Sequence, residues 1–429
     1  MRWTHRVAAL LAVLACVSCD KTQKPAVDEA ATPVPKVDMP ADSDVQPLAT
    51  SNNAFGLDLW RLVGRRAGNL TVSPASISTA LAMTWGGAKG ETEQQMRRVL
   101  HLQGEQDAVA ARWGQVSLAL QSPSRELKLR IANRLFGEKS FRFEQPFLDK
   151  TRERFAAPLE AIDFASSPEP SRLHINAWVE AQTERRIKNL LPLRSIKSNT
   201  RMVLVNAIYF LADWESQFKK ESTMDRPFRM SPTQTRNVPM MHQMKQLRVT
   251  QGDGVRVLEL PYKGDDAAML IVLPDQIDGL ADVEKDLSVD KLDAWRAGLA
   301  PQNVMVALPR FEINPQASIP MRASLEELGI TDAFAPEKAD FTAIGIPPNP
   351  RFRLCISEAF HKAFVKVDEK GTEAAAATAV VMGAAGAHAM PKVEVLEFRA
   401  DHPFLFFIMD KPTGLVLFMG RVADPSSRG

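Results

Sequence analysis

Five stretches of this 429-residue chain are apolar on consecutive positions rather than alternate ones: RMVLVNAIYFLADW, AMLIVLP, NVMVALPRF, HPFLFFIMD and LVLFMGRV. Each is short, rich in Val, Ile and Phe, and bounded by Pro, Gly or Asp. A run with no polar side can serve only as a strand buried on both faces, so layers must pack above and below it. All five lie from Arg201 onward. The chain before it carries helical patterns instead. In NNAFGLDLWRLV, Phe55, Leu59, Leu62 and Val63 fall at helical spacing. In NLTVSPASISTALAMTWGGA, Ser73 and Pro74 start a helix that Gly86 and Gly87 stop. Helices early and strands late point to an α+β fold rather than to alternating βαβ units. With 45% apolar and 24% charged residues the chain can bury a large core.

Charge excludes one class of partner. Fifty-three basic residues oppose 51 acidic ones, and no like-charge run is long enough for a nucleic-acid stripe. The amino terminus, MRWTHR followed by VAALLAVLACVSC, reads as a signal peptide over residues 1–19, its apolar core too short for a comfortable membrane span. The end of that segment resembles a bacterial lipobox, and Cys16 and Cys19 both remain open as the lipid acceptor. Residues 20–52, poor in aromatics and rich in Pro, Ala and Asp, read as a flexible tether, with the folded domain spanning 53–425. The expected location is the cell envelope, lipid-anchored, or outside the cell. Cys355, alone in an apolar neighbourhood, reads as core.

No HExxH, GxSxG, P-loop or paired CxxC occurs, and the seven histidines stand at no metal-ligand spacing. The sequence therefore calls for no catalytic residue, metal or cofactor. The GGAKGET stretch after the early helix reads as a helix stop and turn. What resists a bland reading is the segment from Gly371 to about Ala389, where nothing larger than Met or His appears, lying between two strand-like runs. A helix there has no apolar stripe to hold it, and long structureless insertions in compact domains are usually functional. Laid out as a strand, Thr372, Ala374, Ala376, Thr378 and Val380 share one face and Glu373 takes the other. Small side chains suit a strand that wedges between packed neighbours, where extra volume costs on the order of 1–3 kcal/mol per site.

At these residues the chain resembles the serpins. Asp368-Glu369-Lys370-Gly371-Thr372-Glu373-Ala374-Ala375-Ala376-Ala377 is similar to the family's hinge, and His402 to Phe406 with Phe418 to Val422 to its carboxy-terminal strands. Asn69 to Ile77 resembles the early shutter motif, and Val205 to Phe210 with Trp214 the central strand that ends at the breach. The likeness runs from about Asn53 to Pro425. It implies three β-sheets, about eight or nine helices, a monomer, and an exposed reactive loop over about 369–391. It implies a suicide inhibitor of serine proteases whose cleaved loop inserts into the main sheet, covalently bound to its target. By position, Ser73, Ser76, Asn206 and His361 match the shutter, and Trp214 and Glu369 the breach. Gly371 and Thr372 match the hinge, where glycine is expected to supply backbone freedom. The family's usual loop length puts the scissile bond at Ala385-Gly386, with Met382, Ala384 and Ala387 as alternatives. A small residue there suits an elastase-like or subtilisin-like enzyme. The competing readings are a non-inhibitory serpin acting as a binding or carrier module and, well behind it, a hydrolase.

Overall fold

The computed structural model describes residues 35–349, 353–372 and 395–429. Among them are nine α-helices and three sheets, of nine, seven and two strands. All five apolar runs are strands. Four of them, Ala267–Pro274, Ala300–Pro309, Phe404–Asp410 and Val416–Val422, belong to the nine-stranded sheet. The fifth, Met202–Asp213, is central to the seven-stranded sheet.

The central strand shows why continuous apolarity was needed. Its Leu204, Ile208, Phe210 and Ala212 face the main core. Its Val203, Val205, Ala207 and Tyr209 face a second core with Ile175, Trp178 and Val179 of the helix Pro168–Gln182. A strand sandwiched in this way has no wet side on which a polar residue would be comfortable. Asn206 sits on the main-core face all the same.

The early helix runs Pro74–Trp85 and every residue in it is buried. Ser73 caps it by accepting the Ser76 N–H at 3.2 Å, Pro74 takes the first turn, and Gly86 ends it. A Cβ on Gly87 would lie 2.3 Å from Ile344 Cγ1, so the second glycine is there for close packing.

The boundary of the tether needs correction. The first helix spans Asp42–Val63, so it starts ten residues before Asn52, inside the segment read as flexible. Val45, Leu48 and Ala49 are buried at helical spacing and continue the stripe of Phe55 and Leu59. Averaged over a Pro- and Asp-rich stretch, three apolar residues disappear; placed on one helix face, they are enough to dock it. Asn52 and Asn53, buried beyond them, bond to the Val416 and Gly414 backbone. Residues 1–34, including Cys16 and Cys19, lie outside the described residues. Cys355 is buried. Among the described residues no helix is long and apolar enough to cross a membrane.

Candidate functional site: a partly opened sheet

The strand Glu358–Val367 lies parallel to Met202–Asp213 and pairs with it over seven consecutive positions, from Glu358↔Val203 to Phe364↔Tyr209. Beyond Phe364 the two part, and the short strand Gly371–Thr372 stands between them. Gly371 and Thr372 pair antiparallel with Asp213 and Ala212 on one side, and Thr372 pairs with Val367 on the other. The sheet is thus closed along most of one seam and opened at its end by the first two residues of the small-residue segment.

Gly371 fits there because it has no side chain. A Cβ would sit 2.0 Å from the Ala212 carbonyl oxygen and 2.7 Å from Asp213 Cα, both backbone atoms. Its φ is not in the left-handed region, so close approach, rather than the backbone freedom expected from sequence, is what demands glycine. Thr372 is fully buried, and its hydroxyl meets the Tyr262 hydroxyl at 2.7 Å. Tyr262 in turn stacks on Trp214, ring centroids 4.5 Å apart and nearly coplanar. Trp214 ties down the turn that precedes the hinge. Its indole N–H donates to the Asp368 carbonyl at 3.0 Å and its backbone N–H to that of Lys370 at 2.7 Å. Burial pushes the Glu369 carboxyl up, but hydrogen bonds from Arg310 and Thr223 outweigh that and hold its pKa below the usual range.

Halfway down the closed seam lies a buried polar cluster. Asn133, Asn206 and His361 are direct neighbours across three adjacent strands. The His361 Nδ1–H donates to Asn206 Oδ1, and its Nε2 accepts the Ser73 N–H at 3.1 Å. Both ring nitrogens are then satisfied only in the neutral imidazole, and full burial lowers its pKa to about 3. The Asn206 amide donates to Ser76 Oγ at 2.6 Å and to Asn133 Oδ1, and Asn133 donates to the Ser76 carbonyl at 2.9 Å. Ser73 Oγ donates to the Leu417 carbonyl at 2.5 Å. Five chain segments distant in sequence are held together by this one network.

The structure therefore brings Ser73, Ser76, Asn206 and His361 into one cluster, and Trp214, Glu369, Gly371 and Thr372 into another. Sequence reasoning missed Asn133, Thr223, Tyr262 and Arg310. An Asn between the apolar residues Ile131, Ala132 and Leu135 of the strand Lys128–Glu138 was a signal of sorts for the first; the other three are visible only once distant strands are packed. Glu373, Ala374, Ala375, Ala376 and Ala377 of the hinge lie outside the described residues. So do the reactive-bond candidates Ala385 and Gly386 and their alternatives Met382, Ala384 and Ala387. Among the described residues, no group of His, Cys, Asp or Glu is arranged to hold a metal ion.

A family model, serpin (serine protease inhibitor), matches residues 50–425. The chain belongs to the serpin family. Similar serpins include the horse (Equus caballus) leukocyte elastase inhibitor, 38% identical over 89% of this chain and all of its own length. Serpin B6 of Macaca fascicularis is 41% identical over 88% of this chain and 99% of its own. Among solved structures, uncleaved ovalbumin matches with a TM-score of 0.79 at 33% identity, covering 88% of this chain and 100% of its own. Human thyroxine-binding globulin complexed with its hormone matches at 0.78 and 30%, covering 89% and 99%. In this serpin the parted sheet and its polar cluster thus occupy the region that resemblance assigned to breach, hinge and shutter.

Proposed function

We propose that this serpin inhibits serine proteases irreversibly by inserting its cleaved loop into the seam between Met202–Asp213 and Glu358–Val367. One observation carries the reading: the register of the two hinge residues closes on itself. Continued down the central strand, the Thr372↔Ala212 pairing carries Val381 to Val203. Continued down the other strand, Val367↔Thr372 carries Val381 to Glu358. Val203 and Glu358 are already each other's partners. Residues 373–381 therefore fit the gap without a shift, and none of them is Pro or a bulky aromatic. Thr372 sets the parity, so Ala374, Ala376, Thr378 and Val380 would turn into the core and Glu373 away from it.

Attack by the target's serine on the Ala385 carbonyl forms an ester, breaks the bond to the Gly386 nitrogen and sends a proton to that leaving amine. Insertion before water reaches the ester then drags the enzyme along the sheet. About nine added residues, at roughly 1 kcal/mol net per ladder hydrogen bond, supply on the order of 10 kcal/mol, comparable with the stability of a whole domain. A small residue before the bond favours elastase-like or subtilisin-like targets, in keeping with the names of the relatives that are elastase inhibitors.

Incubation with a panel of serine proteases should give detergent-resistant complexes with elastase-like or subtilisin-like members, and loop cleavage should raise the unfolding temperature. Trapping of trypsin-like enzymes alone would overturn the target class. No complex and no rise would favour the carrier reading, for which the hormone-bound globulin is the structural precedent. Residues 1–19 act in this proposal as a signal peptide with Cys16 or Cys19 lipidated, which holds the inhibitor at the cell envelope. Labelling with a fatty-acid analogue in C16A and C19A variants identifies the acceptor, and no label in the unsubstituted protein would remove the anchor.

A further inference from the structure

At the far end of the same seam from the hinge lies a cleft of about 370 Å³. One wall is the segment leading into the central strand, with Ser195, Lys197 and Arg201; the other is the approach to Glu358–Val367, with Arg353 and Cys355; Arg322 closes a third side. The two walls are sewn together at the base. The Arg201 N–H donates to Ser357 Oγ at 2.9 Å, and the Ser357 N–H donates to the Met202 carbonyl at 2.9 Å. Whatever bridges the walls spans the point where insertion would end.

The charge of this cleft is lopsided: four cations, Lys197, Arg201, Arg322 and Arg353, face one carboxylate in the lining, Glu358. Arg322 is engaged by Glu326 at 2.9 Å and lies over the Phe334 ring. The other three make no close ion pair with a carboxylate among the described residues, although Lys197 attracts Glu358 at longer range. Arg201 donates to the carbonyls of Ser198 and Thr200, Arg353 to those of Lys338 and Ala339, and Lys197 is exposed. Each guanidinium has five N–H groups, so these carbonyl contacts leave donors unused. The Ser195 hydroxyl is buried with no hydrogen-bond partner. Like charges that outnumber the nearby acids repel one another, and an anion accepting short charge-assisted bonds from several of them relieves that repulsion.

We propose that this cleft binds a compact oxyanion of the phosphate or sulfate class, held by Lys197 and Arg201 on one wall, by Arg353 on the other and by Arg322 from the third side. Such a ligand joins the two strands that insertion must separate. It binds the closed seam and loses half its partners when the seam opens, so by linkage it stabilises the uncleaved form and retards insertion. That second step rests on the inhibitory reading above; the binding itself does not.

Calorimetric titration of the full chain with inorganic phosphate, at fixed ionic strength balanced with chloride, tests the site. A saturable signal is expected, with Kd about tenfold weaker in Lys197→Gln, since one charge-assisted contact is lost, and no signal in the Lys197→Gln/Arg353→Gln pair. Lys197 is exposed, so its replacement leaves the fold intact. A parallel arm with phosphatidylglycerol and phosphatidylcholine vesicles distinguishes a lipid headgroup from the free anion, and saturable binding in either arm supports the site. No binding beyond chloride in both arms, or binding unchanged in the double variant, would overturn it. Phosphate should also lower the fraction of protease trapped by the unsubstituted protein and not by the double variant. Binding without that effect would overturn the retarding role alone. A protein that traps no protease at all defeats the proposed function while the calorimetry still reports on the site.

Discussion

The hydroxyl of Tyr262 meets the hydroxyl of Thr372 at 2.7 Å, deep in the sheet and away from solvent. Burial raises the Tyr262 pKa well beyond that of an ordinary phenol, so the group stays protonated and able to donate. Tyr262→Phe leaves the Thr372 hydroxyl without this partner, at a cost of about 1 kcal/mol. The Gly371 and Thr372 amides should then exchange hydrogen roughly fivefold faster. Unchanged exchange, measured by native-state mass spectrometry, would mean that the pairing on either side holds the hinge by itself.

Gly371→Ala puts a methyl group against backbone that cannot move aside. The expected cost is about 1–3 kcal/mol, the range for overpacking. Because the same clash meets the inserted loop, the variant should be cut by its target as an ordinary substrate. Gel analysis reads this directly, as cleaved inhibitor accumulating in place of covalent complex.

Under the proposed insertion, the register of Thr372 continued down the seam would deliver Thr378 to the level of Asn206 and His361. A hydroxyl arriving there can replace part of the hydrogen bonding that the parted strands give up. Thr378→Val should still trap protease, with a smaller gain in thermal stability on cleavage, by about 1 kcal/mol. Thr378→Arg should block insertion past that level and abolish the gain. A full gain in Thr378→Arg, measured by calorimetry of the cleaved protein, would rule out this register.

His361 makes native stability depend on pH in a defined direction. Its pKa falls from 6.5 to about 3 on folding, so between those values the unfolded chain binds the proton that the native one refuses. Stability is fully present above about pH 6.5 and drains away as the pH falls toward 3, by up to about 1.4 kcal/mol per unit. Urea midpoints taken across that window should show the slope, and His361→Gln should flatten it.

The strands were legible because burial on both faces leaves a mark that no loop or surface helix carries, and the Ser73-Pro74 start of the early helix was equally plain. Of the hinge, the described residues reach only Gly371 and Thr372, which pair as a short strand in the parted seam. The start of the first helix was not legible, since Val45, Leu48 and Ala49 are diluted among Pro47 and two aspartates. Nor were the hinge's partners. Asn133 acquires its meaning only from lying opposite Asn206, and Tyr262 and Arg310 only from strands that meet Thr372 and Glu369 after packing. The reason for Gly371 was misread for a similar cause: sequence shows a residue without a side chain, not the carbonyl pressed against it.

The seven paired positions from Glu358 to Phe364 set a clock. In the proposed mechanism, once the bait is cut, unzipping of this stretch competes with water for the ester, and the faster process decides whether the enzyme is caught or walks away. The polar cluster of Asn133, Asn206 and His361 lies within that stretch, so its strength would govern the timing of the trap as well as the stability of the resting fold. A substitution that makes this serpin sturdier at the seam should make it a poorer weapon.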